Sequence, residues 1–121
     1  MPPSGRYSKV VVWLHGLGDT ADGWAGFMPS LDLTDTKFVL PTAPTRPITL
    51  NGGMHMTGWA DIVGLSIDSR EDGKGLEDSA VRVRKIVVNE VESGLVAPSK
   101  VVIGGFSQGG ALVCLTYSYL L

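Results

Sequence analysis

The sequence predicts a three-layer α/β sandwich around a mostly parallel sheet, and three observations carry that expectation. Apolar runs at residues 10–14, 37–40 and 100–106 lack polar alternation, as strands buried on both faces do. Helix-forming stretches follow each run, giving the order strand–helix–strand–helix–strand–helix. A hydrophobic fraction of 44% with only 18% charge suits a packed core, and 121 residues bound the chain to one domain at most.

The elements follow in order. Val10 to Leu14 is an unbroken apolar strand, mostly β-branched. Asp19-Thr20 offers a cap for a helix over residues 20–30 that carries Trp24, Phe27 and Met28. Lys37 to Leu40 is a second strand, closed by Pro41. Residues 41–75 read as loop, rich in Pro and Gly without clear periodicity, and so long a loop is either functional or a sign of a missed element. A helix follows, with Leu76, Ala80, Val83, Ile86, Val87 and Val91 at three- and four-residue steps, stopped by Ser93-Gly94. Lys100 to Phe106 is the third strand. Gln108 to Leu121 is a helix expected to be packed on most of its surface.

Several function classes are excluded by composition. Ten basic residues against twelve acidic ones, with no basic run, leave no footprint for nucleic acid or for anionic membranes. No apolar stretch reaches transmembrane length, and the five apolar residues before His15 are too few for a signal-peptide core. The single cysteine, Cys114, fits a reducing compartment, so a cytoplasmic protein is expected. Cys114 itself is expected in the core.

Working residues in such sheets gather at the carboxyl ends of the strands. Gly105-Phe106-Ser107-Gln108-Gly109 sits there, between the third strand and its helix. The bare pattern G-x-S-x-G is weak, arising in about one shuffled chain in six of this composition. Its strand-to-helix context gives it weight. The glycines permit a turn too tight for side chains, and Ser107 stands above the sheet as a nucleophile. The Gln108 N–H then faces a developing oxyanion.

The first glycine turn reads two ways. Gly16-Leu17-Gly18-Asp19-Thr20-Ala21 fits G-x-G-x-x-A, the dinucleotide fingerprint. Asp19 would place a carboxylate against the pyrophosphate, however, and Asp35 lies before the second strand, at the wrong end to hold a ribose. The alternative is an oxyanion loop in which Leu17 supplies the second backbone N–H.

Taken together, "LHGLGDT", "PTAPTRPITLNGG", "GWADIVGLS", "REDGKGLEDSA" and "GGFSQGGAL" resemble the acyl-protein thioesterase and phospholipase–carboxylesterase family of α/β-hydrolases, from about Lys9 to about Leu115. The resemblance implies an α/β-hydrolase fold, here a single partial domain over residues 1–121, ending with the helix after the serine. It implies Ser107 as nucleophile and the backbone N–H groups of Leu17 and Gln108 as oxyanion donors. Neither cofactor nor metal is implied. The substrates would be S-acylated proteins, lysophospholipids and small acyl esters. The loop 61–75 would border the acyl channel, with Trp59, Ile62, Val63, Leu65 and Ile67 as its lining. Ala60 stands where the family usually carries an aromatic residue after the tryptophan.

The family's triad runs Ser, Asp, His. Only fourteen residues follow Ser107 here, none of them Asp, Glu or His. His15 and His55 are the only histidines; a brace for the oxyanion loop is expected of His15 and an exposed loop position of His55. Glu71, Asp72, Glu77 and Asp78 read as solvated charge at a helix start. Trp13, Trp24 and Trp59 read as core or pocket wall. By itself the chain is therefore expected to be close to inactive, because loss of a triad member costs about 10⁴ to 10⁶ in turnover. A non-catalytic binder of acyl chains or of a protein remains the alternative. The third strand would carry an unpaired apolar edge open to self-association.

Overall fold

A computed structural model describes residues 7–66, 68–93 and 96–120. Strand β1, Lys9–Leu14, forms from the valine run and lies at the centre of a three-stranded parallel sheet. On one side it pairs with β2, Thr36–Val39, in the register Val11 to Phe38. On the other it pairs with β5, Val101–Gly105, in the register Val12 to Ile103. β3, Thr45–Ile48, and β4, Met54–Thr57, form a separate two-stranded sheet.

Two helical layers enclose the sheet. Val10, Val12, Leu14 and Ile103 point to one face and join a single buried cluster with Ala80, Val83 and Val87 of helix α2, Gly73–Ser93, and Leu112 of helix α3, Gln108–Leu120. On the opposite face Trp13 meets Trp24 edge-on, with ring centroids 5.1 Å apart, and Trp24 meets Phe27 at 5.7 Å. β1 is thus fully buried on one face and partly covered on the other, where Val11 and Trp13 lie.

The first helix is shorter than the sequence predicts. Residues 20–30 divide into α1, Asp22–Ala25, and a 3₁₀ turn, Met28–Leu31. Gly23, Gly26 and Pro29 weaken a continuous helix, and Asp32, at φ 52°, ends the turn. Asp19 does not cap the helix from its N-cap position; its carboxylate accepts the N–H of Thr20 instead, at 2.8 Å.

Within the segment read as loop, a β-hairpin forms. β3, Thr45–Ile48, pairs antiparallel with β4, Met54–Thr57. Pro47 hides β3 from a sequence reading, because proline is tolerated only where a strand N–H needs no partner. The readable signal was Asn51-Gly52-Gly53, whose glycines take φ 66° and 83° at the turn.

Helix α2 is anchored at its start by Asp72, whose Oδ1 accepts the Gly75 N–H at 3.0 Å while its main-chain carbonyl accepts the N–H of Leu76. Within the acidic cluster, Asp72 therefore has a specific task as a cap, whereas Glu77 and Asp78 lie exposed. Further along, Glu90 receives the Lys37 ammonium at 2.9 Å, tying α2 to β2. That hydrogen bond holds the Lys37 pKa above its usual range.

Helix α3 is less enclosed than its composition predicts. Leu112 and Thr116 are buried, yet Ala111, Cys114, Tyr117 and Ser118 are exposed. Cys114 is thus at the surface and not in the core. The helix packs against α2 and the sheet on one side only, so an apolar sequence does not guarantee burial all round. Beside it, β5 pairs on one side among the described residues, and Val102 is 54% exposed. The Tyr117 hydroxyl accepts the N–H of Ile103 at 3.1 Å, satisfying part of that edge.

Candidate active site

The elbow follows from the glycines that flank it. β5 ends at Gly105, α3 begins at Gln108, and Ser107 lies between them in the left-handed region at φ 56°. Holding a non-glycine residue there costs about 1–2 kcal/mol, so the surroundings must enforce it. They do so by proximity. A Cβ on Gly105 would lie 2.4 Å from the Gly109 carbonyl carbon, and a Cβ on Gly109 would lie 2.1 Å from the Leu14 oxygen. Both obstacles are backbone and cannot swing away. The Phe106 N–H donates to Leu14 O at 3.0 Å, and the Gly109 N–H donates to Phe106 O at 3.0 Å. Ser107 is left exposed at the carboxyl edge of the sheet.

The glycine turn after β1 sits against this elbow. The Asp19 N–H donates to Gly16 O at 3.2 Å, and Gly18, third of the four residues, has φ 82°. That is the requirement of a type II turn. A Cβ on Gly16 would lie 3.4 Å from the Phe106 oxygen and 3.5 Å from the Ser107 Cβ. Among the described residues, neither the Leu17 N–H nor the Gln108 N–H donates to a protein acceptor. One of these N–H groups follows Ser107 in the chain, and the other follows Gly16, which packs against the elbow.

His15 braces the turn. It is buried, its Nδ1 lies 2.7 Å from Gly16 O, and its Nε2 accepts the Ala43 N–H at 3.0 Å. Since Nε2 accepts from a backbone N–H, Nδ1 is the nitrogen that donates, to Gly16 O. Both nitrogens are engaged, so His15 has none to offer Ser107 as a base. His55 lies exposed on β4, within the hairpin.

The dinucleotide reading finds no support in this geometry. The Asp19 carboxylate occupies the start of α1, where a Cβ on Gly23 would lie 2.1 Å from Asp19 Oδ1. α1 is only four residues long. Asp35 is engaged by the Ser8 hydroxyl at 2.6 Å and by Lys9 at 3.7 Å, at the amino ends of β1 and β2.

Beside Ser107 opens a groove of about 450 Å³, walled by Ile62, Val63, Leu65, Leu76 and Ala111. Val63 and Leu65 are 45% and 84% exposed, at the outer lip. The loop is pinned at its base by a bridge between Ile62 and Glu71 and by the Leu50 N–H donating to Ile62 O at 2.8 Å. Asp61 accepts the Thr49 hydroxyl at 2.6 Å and the Thr49 N–H at 2.8 Å, which hold its carboxyl below the usual carboxylate range. Ile67 lies outside the described residues. Among the described residues no group of His, Cys, Asp and Glu is arranged to hold a metal ion.

Of the two places expected for Trp59, core or channel wall, the structure shows the core. Trp59 is fully buried behind the groove, and its indole N–H donates to His15 O at 2.8 Å. The Trp59 N–H donates to Gln108 Oε1 at 2.8 Å, Gln108 Nε2 donates to Ala60 O at 2.9 Å, and the Ser79 hydroxyl donates to Trp59 O. Spacing alone gives no sign of these ties. The sequence points to the backbone of Gln108 and says nothing of its amide side chain, which fastens the groove wall to the elbow.

Comparison with known proteins agrees with this geometry. The sequence model of a family described as phospholipase/carboxylesterase matches residues 1–120. Acyl-protein thioesterase 1 of Gibberella zeae is 40% identical over 94% of this chain and 52% of the relative. Acyl-protein thioesterase 1 of Neurospora crassa is 40% identical over 93% and 49%. The crystal structure of Zea mays acyl-protein thioesterase 2 superposes with a TM-score of 0.87 at 34% identity, over 99% of this chain and 50% of that one. The chain spans about half the length of the curated relatives it matches. With its elbow, its glycine turn and this match across nearly all its residues, the chain belongs to the phospholipase/carboxylesterase family of α/β-hydrolases.

Proposed function

We propose that the protein carrying this sequence is a serine hydrolase of carboxylic esters and thioesters, acting on S-acylated proteins or on lysophospholipid and small acyl esters. The observation that carries the reading is Ser107 held at φ 56° between two glycines that admit no Cβ, against the Gly16–Asp19 turn. The Ser107 hydroxyl attacks the acyl carbonyl, and its proton passes to a general base. The carbonyl oxygen becomes an oxyanion held by the N–H groups of Leu17 and Gln108. The thiolate or alkoxide leaves with a proton, and water then releases the acid from the acyl-serine. The acyl chain lies along Ile62, Val63, Leu65 and Leu76.

The base and its carboxylate partner are absent from these residues. The reading assigns them to the portion present in relatives of twice this length. Residues 1–121 alone would keep the nucleophile and the oxyanion donors, with turnover about 10⁴ to 10⁶ below that of the full-length protein. Such a chain would self-associate through the open edge of β5. No helix among the described residues is long and apolar enough to cross a membrane. The single cysteine supports the cytoplasmic site of action we assign.

The test is hydrolysis by the full-length protein of a palmitoyl-cysteine peptide and of an octanoyl ester, followed by thiol and acid release. Turnover of either is expected. No turnover of both, by protein shown to be folded, would overturn the reading.

A further inference from the structure

The two oxyanion donors lie on different segments, so their separation must be set by something that touches both. Leu17 belongs to the turn after β1, and Gln108 to the start of α3. One short strip reaches the two: the end of β4 and the residues that follow it, Thr57 to Ala60.

At its far end the strip is fastened to the elbow. The Gln108 side chain accepts from the Trp59 N–H and donates to the Ala60 carbonyl, as described above. At its near end the fastener is Thr57. The Gly18 N–H donates to Thr57 O at 2.8 Å, and the Thr57 hydroxyl donates to Asp19 O at 2.6 Å. These two bonds grip consecutive residues of the turn that presents Leu17. Between the fasteners, Gly58 passes directly beside Leu17: a Cβ there would lie 3.0 Å from Leu17 Cδ1. The strip is itself held, since the Gly58 N–H donates to Pro44 O at 3.1 Å and Arg46 Nε donates to Gly58 O at 2.8 Å.

We propose that Thr57 is a positioning residue for the hydrolytic reaction, its hydroxyl holding the Gly16–Asp19 turn so that the Leu17 N–H stays aimed at the oxyanion. The inference rests on the hydrolase reading above. Thr57 does not touch the reacting atoms in this scheme. Its hydroxyl fixes one peptide carbonyl in the turn, and a displaced turn weakens the donor only where charge develops. The effect therefore belongs to the transition state and spares ground-state binding.

The experiment compares Thr57→Val and Thr57→Ser with wild type in the full-length protein. Val keeps the shape and the β-branch and loses the hydroxyl; Ser keeps the hydroxyl. Rates on a p-nitrophenyl ester are normalised to sites titrated with a fluorophosphonate. In parallel, Ki is measured for a trifluoromethyl ketone, which adds to the serine and places an oxyanion in the hole. For Thr57→Val, kcat is expected to fall about 10-fold with KM within about twofold, less than the ~10² to 10³ lost with an oxyanion donor itself. Ki for the ketone should rise by the same factor, and Thr57→Ser should return both to within about threefold of wild type. If Thr57→Val does not fold, Thr57→Cys, a weak donor of similar size, carries the test with a smaller loss in the same two quantities. Values of kcat and Ki within twofold of wild type, or a change confined to KM, would overturn the assignment of Thr57. A wild-type protein that neither labels nor hydrolyses ester would instead fail the hydrolase reading, and the Thr57 assignment would fall with it.

Discussion

Replacing Ser107 with alanine in the full-length protein is expected to lower ester turnover by about 10⁴ to 10⁶ while leaving the fold in place. The two halves of this expectation have separate causes. In the proposed reaction the hydroxyl forms the covalent acyl intermediate, so its removal leaves only what the oxyanion donors and binding supply. The side chain is exposed, and alanine meets the same left-handed backbone strain as serine. Stability should therefore move by no more than about 0.5 kcal/mol, as for an ordinary surface change. Steady-state kinetics and thermal melting check the two halves independently. Turnover within tenfold of wild type would place the nucleophile elsewhere.

The second large effect is expected at Gly109. A Cβ there meets the Leu14 oxygen at 2.1 Å and the His15 oxygen at 2.6 Å, both backbone atoms at the end of the central strand. Ordinary contact needs more than 3 Å, so either β1 or the start of α3 must move by about 1 Å. Gly109→Ala should cost about 3 kcal/mol or more, at or beyond the top of the range for overpacking. The same shift displaces the Gln108 N–H, and about 1 Å at such a site is worth roughly 100-fold in rate. Gly26→Ala is the control, since no atom lies within 4 Å of the added carbon and the backbone there is right-handed. It should change stability by less than about 1 kcal/mol and activity not at all. Melting temperature and kcat, measured on both variants, separate the cases; equal behaviour would show that the elbow is not as tight as described.

Much of this architecture was legible in the sequence, and the parts that were not share a cause. The strands read correctly because Val10 to Leu14 and Lys100 to Phe106 are locally apolar runs between turn signals, although the second is less buried than that pattern suggests, with Val102 exposed. The elbow read correctly because its glycines answer a local steric demand. The hairpin at Thr45–Thr57 was missed because Pro47 breaks the strand pattern, although Asn51-Gly52-Gly53 marked the turn. Cys114 was misplaced because α3 is apolar in sequence yet covered on one side only. Trp59 and the Gln108 side chain were not fully legible for a different reason. Their roles consist of hydrogen bonds to residues more than forty positions away, and no spacing rule records those.

The family is carried by sequence and fold together, while the proposed reaction rests on one hydroxyl. The most direct measurement is therefore to treat the full-length protein with a fluorophosphonate and map the adduct by peptide mass spectrometry. A single adduct on Ser107, absent from Ser107→Ala and formed in step with loss of esterase activity, is the predicted result. An adduct on any other residue, or full activity with Ser107 modified, would contradict the account.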